Sequence, residues 1–540
     1  MLYLSQQASK DRQHGNEKVD KEMNRAGRLM YNWPGADFNG KAQFSDPSKL
    51  SEELYDIVIV GAGVVGCALA YKLSMYKLKV LLLDKKYDVG EATSKGNSAI
   101  IHTGFDAAVG TLESQLVTKA SKQWPELAKK LKIPFEECGA YLLAVDEVQN
   151  KQLDDVYDRA LKNGVDDVQI ISGEEAQKHE PNISDDVLRV LSIPRESIAD
   201  PFGTSIAYAE VALANGTDIL FGSEIRSILD ADKATKKLLT TDDHHINTRI
   251  IVNVAGLGSR KLADLYNGEP FDINPRRGQF LIFDNFSRSF INRILLPIPT
   301  ADTKGVLVIP TIFGNLLAGP TSEDFSIGDS DVSDTTLEML QSLLEGASKL
   351  YPGLIDKPVI GTFSGVRCNC SQGSYLIRCN DGHDGILTVT GIRSTGFTTS
   401  PALADYLIEE LSNKCGLNLE IDSAASDSRP ESSWPGWWKK PYSNGELVKK
   451  NPDYGKVVCY CEQISLGEIS DQLNSSLQPI TLDAIKRRTR AQMGRCQGFD
   501  CQIKIAGIIS DHLGIPLSKI TKHGPASEII SELISTELEH

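Results

Sequence analysis

An α/β fold with a mainly parallel sheet is predicted for this chain, joined to a second, antiparallel sheet and to a small, helical, cysteine-rich domain at its C-terminal end. Three observations carry the expectation. From Tyr55 to about Gly416, short apolar runs alternate with helical patterns. Within that span, Gly278–Phe283 and Val306–Pro310 alternate side to side as antiparallel strands do. Four of the ten cysteines then crowd into one late stretch as two close pairs.

The chain's 540 residues leave room for about two to four units of roughly 100–200 residues each. A hydrophobic share of 41% and a charged share of 24% are those of a globular protein. A net charge of −15 argues against a nucleic-acid partner, which needs a basic face. No apolar run reaches the ~18–20 residues that span a bilayer, so no transmembrane segment is expected. Residues 1–54 mix Lys10, Asp11, Arg12, Glu17 and Lys18. They lack both the apolar core of a secretory signal and the poverty in acids of an organellar presequence. They are expected to form a polar extension on a cytoplasmic protein.

The first element is a strand, Tyr55–Val60, that runs into Gly61-Ala62-Gly63-Val64-Val65-Gly66 and a helix to about Leu73. Gly61 permits a tight turn, Gly63 lets the backbone approach a pyrophosphate, and Gly66 lets helix and strand pack closely. The helix start favours phosphate charge. A second strand, Val80–Leu83, ends in Asp84 and Lys85, where a carboxylate accepts ribose hydroxyls. This is a Rossmann-like dinucleotide site, and the turn alone does not separate FAD from NAD. Two later strands tip it to FAD: Ile250–Val254, ending in Ala255-Gly256, and Gly385–Thr390, ending in the loop Gly391–Pro401. Returning segments of this kind close over the ring system of a large flavin cofactor. The expected FAD-binding set from these segments is Gly61, Ala62, Gly63, Gly66, Asp84, Lys85, Ala255, Gly256, Gly391, Gly396, Phe397 and Thr398, to which the family resemblance given next adds Asn97 and Ser98.

Residues 55 to about 415 resemble the D-amino-acid-oxidase-like flavoprotein superfamily, and within it the branch of glycerol-3-phosphate oxidases and dehydrogenases and L-2-hydroxyglutarate oxidases. The resemblance is carried by Gly61–Gly66, Gly96–Asp106, Pro275–Gln279, Gly305–Glu323 and Gly391–Pro401. It implies an antiparallel substrate domain interleaved with the FAD-binding domain. It also implies that His102, in Asn97-Ser98-Ala99-Ile100-Ile101-His102-Thr103-Gly104, accepts a proton from a substrate hydroxyl, with Ser98 beside it. By the same resemblance Arg367 faces a substrate phosphate or carboxylate, and Lys304 and Ser394 are further substrate contacts. Two positions depart from the family pattern, Phe313 in place of a histidine and Arg393 in place of an acid. Both fall where the substrate region is expected.

Residues 416–454, with Trp434-Pro435-Gly436-Trp437-Trp438, read as a linker packed on a surface. A small domain follows over 455–514, and 515–540 read as a partly helical tail. Cys459-x-Cys461 and Cys496-x4-Cys501 can bring four thiolates to one metal centre, zinc or iron–sulfur. Ser465-Leu466-Gly467-Glu468 reads as a capping box, and the basic run Lys486-Arg487-Arg488-Thr489-Arg490 is expected to offset the charge of the centre. The region resembles the bacterioferritin-associated-ferredoxin-like 2Fe-2S module, which implies that Cys459, Cys461, Cys496 and Cys501 hold a 2Fe-2S cluster. A cluster fused to a flavin unit favours a dehydrogenase with an external electron acceptor over an oxidase. That acceptor is a soluble carrier or a quinone, and peripheral contact with a membrane stays open. The expected substrate is small and anionic, sn-glycerol 3-phosphate first and L-2-hydroxyglutarate or another 2-hydroxy acid second. Amine or opine oxidation and a non-catalytic redox sensor or electron carrier are the other readings.

Overall fold

The computed structural model describes residues 26–33, 44–299, 305–326, 334–430 and 440–530. At its centre the strand Leu54–Val60 pairs in parallel with Val80–Asp84 on one side and His245–Asn253 on the other. Ile57 and Ile59 enter one apolar core and Val58 and Val60 another. Both faces are thus covered, which is why the run is apolar without alternation. Asp218–Phe221 extends the sheet in parallel beyond Val80–Asp84. On the other side Ile386–Thr390 joins His245–Asn253 in parallel, while Lys236–Thr240 and Ile225–Leu229 add antiparallel strands.

The expectation for residues 1–54 needs correction. Leu29–Tyr31 forms a further strand, parallel to Asp218–Phe221, with Met30 fully buried. Three residues are too few to show a period in sequence. Their place is fixed by contacts made nearly two hundred residues away, among them the Arg28 backbone N–H and guanidinium donating to the Asp218 carboxylate.

Helix α1 (Val64–Leu73) follows the glycine turn and is apolar nearly all round, with Lys72 alone reaching out to pair with Asp405, as suits a helix buried on most of its sides. It packs against α3 (Pro201–Ala214) and α4 (Gly396–Lys414), and α2 (Leu112–Leu131) lies along α4. A second, largely antiparallel sheet is built on the long pair Ile273–Phe283 and Val359–Cys370, continued through Leu316–Gly319, Leu307–Pro310, Ile294–Pro297, Ala140–Ala144, Arg189–Ile193 and Gln169–Ser172. This is the expected interleaved domain, since its strands come from two parts of the chain, 140–193 and 273–370, with strands of the first sheet between them. A small third sheet pairs Ser197–Ala199 with Ile100–Ile101 and Phe135–Glu136.

The C-terminal domain consists of the strands Val457–Cys459 and Ile464–Ser465 and the helices α5 (Leu466–Leu473), α6 (Leu482–Thr489) and α7 (Gln502–Leu513). The capping box is present, Ser465 and Glu468 each satisfying the other's backbone N–H. This domain is not a loose appendage. Ile469, Leu473, Leu482, Ile485 and Ile505 belong to the same continuous core as α1, α3 and α4. The Tyr31 hydroxyl donates to the Gln478 carbonyl at 2.7 Å.

Two residues of the basic run of α6 have a different job from the one expected. Arg487 and Arg488 meet Asp88 and Glu91 of the first βαβ unit, at 2.6–2.8 Å, with all four side chains buried, while Arg490 pairs with Glu462 beside Cys461. A carboxylate that would otherwise be buried alone captures them.

Among the described parts of 416–454, Arg429 donates to the buried Glu210 of α3 and Asp427 accepts from Tyr71, so this stretch is tied to the flavin-type domain. Trp434, Trp437 and Trp438 lie outside the described residues. Of the tail, Ile515 and Ile520 are buried and residues 517–519 form one short 3-10 turn. Residues 531–540 of that expected partly helical tail lie outside the described residues.

Candidate active site and cysteine centre

The glycine turn has the shape its residues predict. Gly61 adopts φ +117°, where a side chain is strained, and a Cβ there would lie 2.6 Å from the Val254 carbonyl. A Cβ on Gly66 would come within 1.9 Å of the Gly61 carbonyl. The turn therefore rests directly on the returning segment Val254-Ala255. Beside it Gly256, at φ +57°, faces open space with no atom within 4 Å of a Cβ position. Asp84 accepts N–H bonds from Ala62 (2.7 Å) and Lys86 (2.8 Å). Burial raises its carboxyl above the ordinary value against the pull of those bonds. Lys85 is exposed. An open cradle at Gly256, a glycine-lined helix start and a carboxylate at the strand end fit the adenine dinucleotide part of FAD.

Other members of the expected cofactor set are placed less directly. The Asn97 carboxamide is used inside its own loop, accepting from Ala99 N–H and donating to the Ser94 carbonyl. It thereby holds Ala99 at φ +62°. Phe397 and Thr398 are buried in the first turn of α4, Phe397 against Trp124 at 5.2 Å. What they present to a cofactor is backbone N–H, together with Gly396. Gly391, at φ +69°, lets its loop pass the Ser374 carbonyl.

His102 follows the short strand Ile100–Ile101 and is held from two directions, by Thr398 and by Glu196. Its backbone N–H donates to the Thr398 hydroxyl at 3.0 Å, and that hydroxyl donates on to the Ile100 carbonyl. Its Nδ1 lies 3.4 Å from a carboxylate oxygen of Glu196. The antiparallel register explains the meeting: Ile100 pairs with Ile198 and Ile101 with Ser197, so the next residues, His102 and Glu196, stand opposite each other. Glu196 has no counterpart in the sequence reading. It lies in an unremarked turn, Pro194-Arg195-Glu196-Ser197, and only strand register reveals it. Ser98 is half-buried in the same loop and Ser394 is exposed; Lys304 lies outside the described residues.

Arg367 is carried by the strand Val359–Cys370. Its guanidinium donates to the Thr321 carbonyl at 3.2 Å, and among the described residues no carboxylate lies within ion-pair distance. Burial, with Arg276 opposite it on the neighbouring strand, pulls its pKa down to about 10. Gly278 makes room for it, since a Cβ there would sit 2.6 Å from Nη2. The same strand face continues into a cavity of about 440 Å³ lined by Asn274, Arg276, Asn369 and Arg393. Here Arg276 is paired with Asp324, and Arg393 with Glu113. The loop leading to His102 crosses the Arg367 strand in backbone contact: a Cβ on Gly365 would lie 1.7 Å from the Gly96 carbonyl. Thr93 Oγ1 also donates to the Val366 carbonyl. The departure at Phe313 is explained elsewhere in the molecule, for its ring lies 4.3 Å from the guanidinium of Arg490 in the C-terminal domain.

The four cysteines stand as two pairs. The Cys459 thiol meets Cys501, and Cys461 meets Cys496. Contact with the Cys501 thiol lowers the Cys459 pKa to about 6, with N–H groups of Gln492 and Glu462 contributing. The N–H groups of Asp500 and Gly498 help lower that of Cys496. A loop with left-handed residues at Arg490, Gln492, Gln497 and Gly498 wraps the pairs. Gly494 clears space for Cys461, its Cβ position being 2.3 Å from the cysteine's own. Among the described residues no three His, Cys, Asp or Glu side chains gather as they would on a single metal ion. Two thiol pairs suit two irons, each taking two thiolates, better than one tetrahedral zinc.

Comparison with known proteins agrees with this geometry. Residues 56–410 match the family model described as FAD dependent oxidoreductase. Residues 457–511 match the BFD-like [2Fe-2S] binding domain. The chain is 34% identical, over 90% of its length and the whole of its relative's, to glycerol 3-phosphate dehydrogenase of Caloramator mitchellensis. It is 28% identical, over 59% of its length and 79% of its relative's, to the mitochondrial L-2-hydroxyglutarate dehydrogenase of Caenorhabditis briggsae. The solved L-alpha-glycerophosphate oxidase of Mycoplasma pneumoniae with FAD bound superposes with a TM-score of 0.65 at 28% identity, covering 70% of this chain and 98% of that one. No helix among the described residues is long and apolar enough to cross a membrane. The chain belongs to the FAD-dependent oxidoreductases, in the company of glycerol 3-phosphate dehydrogenases and oxidases, and carries a BFD-like [2Fe-2S] binding domain at its C-terminal end.

Proposed function

We propose that this protein oxidises the CH–OH group of sn-glycerol 3-phosphate to the ketone and passes the electrons through its 2Fe-2S cluster to an external acceptor. The observation that carries the reading is the backbone crossing at Gly96 and Gly365, which joins the loop of an imidazole, His102, to the strand of a half-buried guanidinium, Arg367, with no carboxylate partner among the described residues. When bound, FAD would accept the carbon-bound hydride as two electrons, and the 2Fe-2S cluster, a one-electron carrier, would pass them on to the external acceptor one at a time.

The chain's own residues supply the rest. Arg367 binds the substrate's anionic group through paired N–H donors, and burial strengthens that bond by excluding water. His102 Nε2 takes the hydroxyl proton as the carbon is oxidised. Cys459, Cys461, Cys496 and Cys501 hold the cluster. The rings of Tyr460 and Phe499, exposed between the ligand cysteines, leave that side of the centre open to a soluble carrier or a quinone. A carboxylate fits Arg367 as well as a phosphate does, and the L-2-hydroxyglutarate dehydrogenase relative makes that acid the second reading.

The test is an anaerobic absorbance titration of the purified protein. Bleaching of the flavin by glycerol 3-phosphate at lower concentration than by L-2-hydroxyglutarate, followed by loss of cluster absorbance, is the expected result. A flavin left oxidised by glycerol 3-phosphate contradicts the proposal.

A further inference from the structure

We infer that Glu196 is the positioning residue for His102, fixing the imidazole proton on Nδ1 so that Nε2 is left free to accept the substrate's hydroxyl proton. The inference rests on the proposed role of His102 and deepens it. Glu196 is 1% exposed and His102 17%. Among the described residues, His102 is the one basic side chain within ion-pair distance of this buried carboxylate. An ionised carboxylate held out of water needs donors, and Glu196 has them arranged in order. One oxygen accepts the Thr103 backbone N–H at 2.9 Å and the Thr103 hydroxyl at 3.1 Å. The other faces His102 Nδ1 at 3.4 Å. That gap is longer than the roughly 2.7–3.2 Å of a formed bond, and such contacts tighten when substrate is bound.

The orientation follows from the backbone. Thr103 N–H pins one carboxylate oxygen, and the register of Ile101 with Ser197 sets Glu196 across from the imidazole. A carboxylate can only accept, so the nitrogen that faces it must carry the proton. The outer nitrogen then keeps its lone pair. The substitution Glu196→Gln tests this sharply. The carboxamide oxygen of the variant would take over the bonds from Thr103, leaving its NH2 group against Nδ1. An NH2 group donates, so Nδ1 would become the acceptor and the proton would move to Nε2, where it blocks proton abstraction.

The experiment uses the full chain with its cofactors, oxidised and histidine-labelled with 15N, at a pH of about 8.5 where a histidine ring is ordinarily neutral. The His102 signals are identified by their loss in His102→Asn. The expected result is a proton on Nδ1 in the wild type and in Glu196→Asp, and on Nε2 in Glu196→Gln. In Glu196→Gln, kcat with glycerol 3-phosphate falls on the order of 10²–10³-fold while KM stays within about twofold; Glu196→Asp recovers most of the rate. A wild-type proton on Nε2, or an unchanged tautomer in Glu196→Gln, overturns the inference. A tautomer that flips with no change in kcat upholds the contact and overturns His102 as the base. The wild-type spectrum decides the tautomer by itself if the glutamine variant does not fold.

Discussion

A buried pair of arginines and a half-buried single one show how one side chain serves opposite ends. Arg487 and Arg488, on the C-terminal domain, are buried against Asp88 and Glu91, two carboxylates at 2.6–2.8 Å. Burial pulls on both guanidinium groups, but the carboxylates outweigh it and their pKa values are raised. Arg367 is also drawn out of water, yet among the described residues its hydrogen-bond acceptor is a single carbonyl, and its pKa is lowered to about 10. The first group is charge-complete and holds two domains together. The second has no carboxylate partner among the described residues, as the proposed binding of an anion requires. A cation drawn partly out of water without a counter-charge lowers stability, a cost that the proposed anion-binding role would account for.

This contrast can be broken in several ways. The largest expected effect is on stability. Asp88→Ala leaves two buried guanidinium groups with only Glu91, and should cost about 3–5 kcal/mol, read as a drop in the denaturant midpoint. An unchanged midpoint would mean that the docking contact is dispensable. Asp88 sits beside the glycine turn, since Gly90 N–H donates to the Ala62 carbonyl. The same variant should therefore lose FAD more readily in gel filtration.

Next in size is Arg367→Leu. Its KM for glycerol 3-phosphate should rise about 10²–10³-fold, the loss of charged hydrogen bonds worth about 1.5–3 kcal/mol each. Its thermal midpoint should stay level or rise, because a buried unpaired charge is replaced by apolar volume.

The acid response of Asp88 should be smaller and has a definite sign. Burial opposes ionisation of Asp88, but Arg488 and Arg487 prevail and hold its folded pKa at about 2, against about 3.9 for an unfolded aspartate. Its contribution, about 2–3 kcal/mol, is present above about pH 4 and is lost as the pH falls through about 2. Burial pushes Glu91 the other way, so the contribution of Asp88 is read from the difference between wild type and Asp88→Asn. That difference should shrink from pH 4 downward; a constant difference would contradict the pairing. The smallest effect belongs to Phe313→Leu, which removes the ring under Arg490 and should cost about 0.5–2 kcal/mol of stability with kcat unaltered.

The same contrast marks what could be read before the fold was known. The glycine turn and the capping box are local: their meaning lies in spacings of a few residues, and each took its expected shape. The cysteines close in sequence did not pair with each other; Cys459 meets Cys501 and Cys461 meets Cys496 across the domain. Glu196 is legible only through the pairing of Ile101 with Ser197, and the three-residue strand Leu29–Tyr31 only through Asp218–Phe221. In sequence the basic run of α6 has the cysteines for neighbours, whereas its partners Asp88 and Glu91 lie some four hundred residues away. Charge patterns say that a partner is needed, and topology decides which one is met.

Whether Arg367 awaits an anion is tested most directly by the thermal midpoints of wild type and Arg367→Leu with and without glycerol 3-phosphate under anaerobic conditions. The account predicts that the ligand raises the midpoint of the wild type, that this shift disappears in Arg367→Leu, and that the variant without ligand is at least as stable as the wild type. A ligand-free variant that is clearly less stable, with the shift intact, would make Arg367 a structural arginine like Arg487 and Arg488.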